Sequence, residues 1–233
     1  MQIMPAKLGP YLLGPNDENQ GIYTGDAREL ARAIPDESVD LIFTDPVYDR
    51  IEDYRWLAET AARVLKHHKS MIAFCGHLHT MNAAAASLTN NQLLPGPILE
   101  HYVAGAVGRI FSHSVQANVL PALWLSRGTP SSKWMAVQER SIAIEKRGHK
   151  WAKAEAMAKY RISRLTGLGE IVIDPFCGGG SHITISKMLG RRWLAFEIDP
   201  ATAEIARQRI MQTQPPLFVM QPEQMEMTLK EKG

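Results

Sequence analysis

Short apolar runs alternate with segments of helical periodicity along most of this chain. The apolar runs end in glycine, proline or an acidic residue, and they predict strands over 21–24, 39–44, 71–75, 171–173 and 193–196. Apolar residues three or four positions apart predict helices between them, over 27–33, 53–66, 181–189 and 201–210. Because strands that are apolar throughout are buried on both sides, the alternation predicts an α/β fold. Its mostly parallel, twisted sheet would have helices on both faces.

Three segments interrupt this alternation. Residues 1–20 are rich in proline and glycine and predict an irregular arm, whereas the polar residues 213–233 predict a flexible tail. From Leu93 to about Lys150 the chain has strand-like runs at 98–103 and 122–126 but few helix signals. This central segment is either an insertion or a variable half of the fold.

A glycine-rich turn between a predicted strand and a predicted helix is the strongest sign of a ligand site. Its sequence is Asp174-Pro175-Phe176-Cys177-Gly178-Gly179-Gly180-Ser181. Glycine tolerates positive φ and lets the backbone approach a ligand closely. Glu197 lies about 20 residues beyond Gly178, at the predicted tip of the next strand, where doubly wound folds hold ribose hydroxyls. The turn lacks the Lys-Ser/Thr pair of a phosphate-binding loop and carries Asp174, so it predicts an adenosine compound without a phosphate chain. A tight turn with no ligand is the alternative.

A second polar turn, Asp45-Pro46-Val47-Tyr48, follows the buried strand 39–44. It lies at the carboxyl end of that strand, where open α/β sheets bind their ligands. The Asp45 carboxylate and the Pro46 carbonyl can accept hydrogen bonds from an amino group, and Tyr48 can stack on a planar ring. The turn therefore predicts a planar amine as substrate, with an ordinary Asp-Pro turn and a packed tyrosine as the alternative.

Together these segments resemble the motifs of DNA adenine-N6 and cytosine-N4 methyltransferases. Residues 25–48 look like the amino-methyltransferase half, residues 174–181 like the S-adenosylmethionine loop, and residues 189–200 like the segment that follows it. The catalytic motif comes first, which is the permuted order of the family's beta group. The resemblance covers roughly residues 21–75 and 145–210. It implies a Rossmann-like methyltransferase fold.

The resemblance also implies roles for individual residues. Asp45, Pro46 and Tyr48 would be catalytic and would hold a flipped base. A larger set would bind S-adenosyl-L-methionine: Asp26, Ala27, Asp174, Pro175, Phe176, Cys177, Gly178, Gly180, Ser181, Glu197 and Ile198. In this family an aspartate at the first motif position favours adenine, and serine is usual for cytosine N4. The resemblance thus implies site-specific methylation of adenine N6 in double-stranded DNA.

The resemblance divides the chain into functional segments. These are an arm at 1–20, a catalytic half at 21–95, a candidate target-recognition insertion at 96–148, a cofactor-binding half at 149–212 and a tail at 213–233. Basic residues outnumber acidic ones in the insertion, and the candidate nucleic-acid contacts are Arg109, His113, Arg127 and Lys133. Phosphate contacts would make DNA binding salt-dependent. A solvated basic loop is the alternative. The insertion is short for target recognition, so either a short target site or binding as a homodimer is expected.

Two places depart from the family pattern. Val47 stands where a second proline is usual, which predicts a looser turn with reduced activity or an unusual target. The segment 149–154 keeps only a His and a Lys of a His-Pro-x-Gln-Lys-Pro pattern, so Trp151 or Lys153 would have to supply its cofactor contacts. These departures leave other functions open: a cytosine-N4 or RNA methyltransferase, a small-molecule methyltransferase, or a DNA-binding member of the family without turnover.

Composition excludes several other classes. Cys75 and Cys177 are the two cysteines, too few for a disulfide framework or a cysteine-rich zinc site, which predicts a cytoplasmic protein. The segment 77–79 carries two histidines without an evident third ligand, so no metal is predicted. His67 and His68 are expected at the exposed end of a helix. No apolar run approaches the roughly 18 residues of a membrane span, and the net charge of +2 permits nucleic-acid binding without requiring it.

Overall fold

A large mixed sheet organises the chain in the computed structural model. The described residues are 7–15, 20–76, 78–88, 92–102, 108–110, 115–131, 135–140 and 152–214. The strands are β1 Lys7–Leu8, β2 Tyr11–Leu12, β3 Ile22–Thr24, β4 Val39–Thr44, β5 Leu65–Phe74, β6 Leu94–Pro95, β7 Leu99–Tyr102, β8 Gly108–Ile110, β9 Val115–Ala117, β10 Val119–Ser126, β11 Gln138–Arg140, β12 Ile171–Asp174 and β13 Arg192–Glu197. The helices are α1 Ala27–Leu30, α2 Ile51–Val64, α3 Thr80–Ser87, α4 Ala152–Leu165, α5 Ser181–Met188 and α6 Pro200–Gln212.

The strand order of the main sheet is β11-β7-β10-β5-β4-β12-β13-β3, and β6 pairs with β10. From β3 through β13, β12 and β4 to β5 the neighbouring strands run parallel. Strand β10 is antiparallel to both β5 and β7. The predicted α/β fold with a mostly parallel sheet is therefore confirmed, with an antiparallel edge that the apolar pattern does not reveal.

Alternating residues of the central strands supply two cores, one on each face of the sheet. All six residues of β4 are buried. Ile42 belongs to the core that includes residues of α1, α2 and α3. Leu41 and Phe43 point the other way and join the core that includes residues of α4 and α5. Because side chains alternate across a strand, β4 is covered by helices on both faces.

The N-terminal segment is more ordered than the predicted irregular arm. Strands β1 and β2 form a short antiparallel pair, and Leu8, Tyr11 and Leu13 are buried. Gly14 exchanges backbone hydrogen bonds of 3.0 and 3.2 Å with Trp193 in β13. A Cβ atom on Gly14 would lie 1.9 Å from the Trp193 indole, so this contact requires glycine. Residues 1–6 and the predicted tail from 215 onward lie outside the described residues.

The central segment contributes strands to the same sheet. Strand β10 pairs with β5, β7 pairs with β10, and β11 pairs with β7. Of the two interpretations of this segment, these strands favour a variable half of the fold. The functional boundaries at 96 and 148 stay a prediction.

One local prediction is wrong. His67 and His68 lie in β5, not at the end of a helix, because β5 begins at Leu65 directly after α2. Helix α4 was not predicted, although Met157, Ala158 and Ile162 are buried at helical spacing. Its polar and charged residues obscure that spacing in the sequence.

Among the described residues, no helix is long and apolar enough to cross a lipid bilayer.

Candidate active site

The two turns singled out by the sequence lie side by side at one edge of the sheet. Strand β4 ends at Thr44, directly before Asp45, and β12 ends at Asp174, directly before the glycine loop. The two strands are parallel neighbours, so their carboxyl ends share an edge. A hydrogen bond of 2.7 Å from Thr44 Oγ1 to Asp174 Oδ1 joins the two turns directly.

The turn after β4 presents a carboxylate and a phenol together. Asp45 remains accessible to solvent, Pro46 is buried and Tyr48 is partly buried. Asp45 and the Tyr48 hydroxyl lie close enough for each to shift the pKa of the other. A Cβ atom on Gly76, after β5, would lie 2.8 Å from Tyr48 Cδ2. Gly76 therefore provides the surface against which the Tyr48 ring packs. The sequence signals this residue only as the glycine that ends a strand.

The surroundings of this turn change the acidity of both groups. Although Asp45 is accessible, the protein around it raises its pKa, chiefly through desolvation and also through the Asp174 charge. His182 and the Tyr48 hydrogen bond act in the opposite direction. Burial raises the pKa of Tyr48 as well, and the neighbouring Asp45 adds to this effect. Tyr48 is therefore a hydrogen-bond donor at neutral pH.

The glycine loop leaves open space on one side. Gly178 and Gly180 have φ values of 49° and 77°, in the left-handed region that favours glycine. A Cβ atom on Gly178 or Gly179 would meet nothing within 4 Å. The loop therefore borders room for a ligand, and it is followed at once by α5.

Glu197, at the end of β13, holds this loop in place. Its Oε2 accepts a 2.9 Å hydrogen bond from the Gly178 backbone nitrogen, and its Oε1 accepts one of 2.9 Å from Asp199. The backbone carbonyl of Glu197 also accepts a 2.9 Å bond from Gly25, next to Asp26. Asp26 caps α1 by accepting a 2.8 Å bond from Arg28. The ends of β3, β12 and β13 thus bring together the predicted cofactor-binding segments.

Several members of the predicted cofactor-binding set lie below the surface. Ala27, Asp174, Pro175 and Cys177 are buried, whereas Ile198 is exposed. Both carboxylate oxygens of Asp174 have interior hydrogen-bond partners. Asp174 therefore supports the loop from the protein interior. Direct cofactor contacts by these buried residues stay predictions.

His182 was missed in the sequence, although the structure places it beneath both turns. Its Nδ1 lies 2.8 Å from Asp174 Oδ2. Its ring lies edge-on to Phe43 and stacks on Phe74. Burial alone lowers the pKa of His182, but hydrogen bonding to Asp174 and the charges of Asp174 and Asp45 raise it overall. The sequence signal that could have identified His182 is a histidine immediately after the glycine loop, at a position of α5 that faces the core.

Of the predicted nucleic-acid contacts, the structure describes the side chain of Arg127. Arg127 lies at the opposite edge of the sheet, where its guanidinium donates to the Leu65 carbonyl at 2.8 Å and to Glu37 at 2.6 Å. These internal contacts give Arg127 a structural role. Arg109 lies in β8, which pairs with β9, and its side chain is not described. His113 and Lys133 lie outside the described residues, as does Trp151, and the side chain of Lys153 is not described.

Similarities to known proteins agree with this arrangement. Residues 109–208 match the protein family described as DNA methylase. The chain is 24% identical to the type II methyltransferase M.BamHI of Bacillus amyloliquefaciens, over 81% of this chain and 56% of that protein. It therefore spans little more than half the length of that relative. It is 25% identical to the DNA adenine methyltransferase YhdJ of Escherichia coli, over 83% of each chain.

Solved structures show the same fold. The M1.HpyAVI–SAM complex has a TM-score of 0.67 at 22% identity and covers 81% of this chain and 98% of that one. The cytosine-N4-specific PvuII DNA methyltransferase has a TM-score of 0.71 at 15% identity and covers 91% of both chains. The predicted Rossmann-like methyltransferase fold is confirmed.

Proposed function

We propose that this chain methylates the exocyclic amine of a base in double-stranded DNA. The premise is its membership of the DNA N6-adenine and N4-cytosine methyltransferase family. The methyl donor is S-adenosyl-L-methionine, and the preferred target is adenine N6. One observation carries this proposal. The Asp45 turn and the glycine loop adjoin each other, linked by the bond between Thr44 and Asp174.

The residues around the glycine loop fit S-adenosyl-L-methionine. The space beside Gly178 and Gly179 gives the methionine portion access to the loop backbone. Glu197 stands at the end of the neighbouring strand, where its carboxylate can also accept hydrogen bonds from ribose hydroxyls. Asp26 lies next to this strand end, where it would be near the adenine ring of the cofactor. When bound, the cofactor supplies an electrophilic methyl group.

The Asp45 turn suits an amine that is a weak nucleophile. The lone pair of an exocyclic aryl amine is delocalised into the ring. Hydrogen bonds from the amine to the Asp45 carboxylate and the Pro46 carbonyl favour a pyramidal nitrogen and stabilise the positive charge that develops on it. Tyr48 provides a ring on which the base can stack. No covalent nucleophile is required, so neither cysteine needs a catalytic role.

The base must leave the duplex to reach this turn, because its amine is otherwise inside the stack. Once flipped, it lies between Asp45 and the glycine loop, in a position for in-line attack. Holding the two reacting groups in line is a large part of the rate gain available to such an enzyme.

Labelling with isotopic S-adenosyl-L-methionine tests the reaction and the substrate together. Unmethylated genomic DNA and total RNA are incubated in parallel, and nucleoside mass spectrometry locates the label. Label in N6-methyladenine from DNA is the expected result. Label in N4-methylcytosine, the product class of the PvuII relative, would overturn the choice of base, and label only in RNA would overturn the choice of nucleic acid. Cofactor binding without label would favour a DNA-binding member without turnover.

Double-stranded DNA as partner and a homodimeric form are separate parts of the proposal. Arg109, His113 and Lys133 are the candidate contacts, all in the basic central segment. Affinity for a DNA duplex is expected to fall steeply with added salt, because phosphate contacts release counterions. Sedimentation with and without DNA checks the dimer. Binding that is insensitive to salt would argue against phosphate contacts.

Substituting Val47→Pro is expected to preserve methyl transfer or to raise it by about two- to fivefold. Val47 is 58% exposed, and proline would restrict the turn that presents Asp45 and Tyr48. Initial rates on the same DNA provide the measurement, with Val47→Ala as a control for loss of the side chain alone. A large loss of rate in Val47→Pro, together with a normal rate in Val47→Ala, would mean that the backbone conformation at Val47 is adapted to the substrate.

A further inference from the structure

A chain of buried polar groups connects α5 with the two turns of the site. His182 Nδ1 lies 2.8 Å from Asp174 Oδ2, and Asp174 Oδ1 accepts a 2.7 Å bond from Thr44 Oγ1. The same Asp174 oxygen accepts a 3.2 Å bond from the backbone nitrogen of Phe176. The side chains of Asp174 and His182 are 0% and 8% exposed, so water has little access to their pairing.

This network fixes the two turns relative to each other. Thr44 immediately precedes Asp45, and Phe176 is the third residue of the Asp174–Ser181 turn. A shift of the Asp174 carboxylate would therefore act on both the base-binding turn and the cofactor loop. Among the described residues of the network, only His182 contacts the second carboxylate oxygen, Asp174 Oδ2.

We propose that His182 is a positioning residue for methyl transfer, which orients Asp174 so that the cofactor loop and the end of β4 keep a reactive alignment. This inference rests on the proposed function. His182 acts through Asp174 and Thr44, and Asp45 remains the group that meets the substrate. A buried carboxylate that loses a partner is destabilised and tends to reorient, which is how the effect would reach both turns.

The charge of the imidazole gives this role a distinct signature. His182 is faced by Asp174 on β12, by Asp45 after β4 and by Arg209 on α6, and its aromatic neighbours are Phe43 and Phe74. Burial and Arg209 favour the neutral ring, whereas the two carboxylates outweigh them and raise its pKa. The ion pair with Asp174 is therefore complete below the ordinary histidine range. It is lost as the pH rises through the raised pKa, and the turnover number should decline there.

Steady-state kinetics of His182→Asn on duplex DNA test the proposal. The turnover number is expected to fall by about 10- to 100-fold, because small misplacements of reacting groups carry penalties of this size. The KM for S-adenosyl-L-methionine should change far less, and the alkaline decline expected of the wild type should be absent. Ile185→Ala is the matched control, since Ile185 lies on the same helix, is 2% exposed and is outside the network. It should lower the melting temperature while leaving the pH profile unchanged.

A readout without turnover separates this inference from the proposed function. Nitrogen-15 NMR of the ligand-free protein should show a proton on His182 Nδ1 at neutral pH and a ring that titrates at higher pH than an exposed histidine. The titration should shift to lower pH in Asp174→Asn. A His182 Nδ1 without a proton in the wild type would overturn the proposal, as would wild-type kinetics and pH dependence in a folded His182→Asn protein. If that variant does not fold, the wild-type spectrum decides. A wild type that methylates nothing would instead contradict the proposed function.

Discussion

Replacing Asp45 with alanine is expected to lower the rate of methyl transfer by about two to three orders of magnitude, because the acceptor that stabilises charge on the amine is removed. Binding of S-adenosyl-L-methionine should remain close to that of the wild type, since Asp45 belongs to the β4 turn and the glycine loop is held separately by Glu197. Single-turnover labelling of DNA measures the rate, and calorimetry measures cofactor affinity. Asp49→Ala, which removes an exposed acid from the same turn, provides the control.

Near-normal turnover of Asp45→Ala would show that the catalytic motif has been assigned wrongly. A pH series on the wild type adds an independent check. The ionised carboxylate is the better acceptor, and desolvation raises the pKa of Asp45. Transfer should therefore decline on the acid side, as the pH falls through that raised pKa, at a higher pH than the one at which an ordinary surface aspartate is protonated.

Replacing Glu197 with alanine is expected to weaken binding of S-adenosyl-L-methionine by about 10- to 100-fold, the range that corresponds to losing a hydrogen bond to a charged group. The substitution removes the acceptor for Gly178 and Asp199 as well as the proposed ribose contact. Equilibrium dialysis with labelled cofactor measures the affinity. Glu204→Ala is the control, because Glu204 is an exposed acid on α6.

Recovery of the turnover rate at high cofactor concentration distinguishes Glu197→Ala from Asp45→Ala. At saturating cofactor, Glu197→Ala should recover much of its turnover, whereas Asp45→Ala should not. Glu197→Gln sharpens the comparison, since an amide can accept at one atom only and cannot satisfy both backbone donors. Unchanged cofactor affinity in both Glu197 variants would remove this residue from the binding site.

The two turns of the site could be predicted because their signals are local. Glycines that need positive φ, carboxylates at strand ends and apolar strands before them all stand within a few residues of one another, as in the 174–181 segment. Parallel pairing of β4 with β12 then brings the two turns to the same edge. Local signals and a simple topological rule together account for the site.

Features that depend on distant contacts could not be predicted in the same way. Nothing near His182 in the sequence states that Asp174 and two phenylalanines from other strands enclose it. Nothing near Arg127 in the sequence indicates its partners Leu65 and Glu37, which come from a distant part of the chain. The order of the N-terminal segment likewise depends on Trp193, which approaches Gly14 only in the folded sheet.

The strand order also constrains how the chain folds during its synthesis. Strand β3 is made early, yet its pairing partner in the sheet is β13, near the other end of the described chain. In the finished sheet β12 lies between β4 and β13, so the parallel half of the sheet also needs strands made after β5. Contacts between residues so far apart form slowly, because the intervening chain must first be brought to order. On the ribosome, the β3 edge of the sheet therefore waits for β13, and the cofactor side of the site is completed only after β13 has been made.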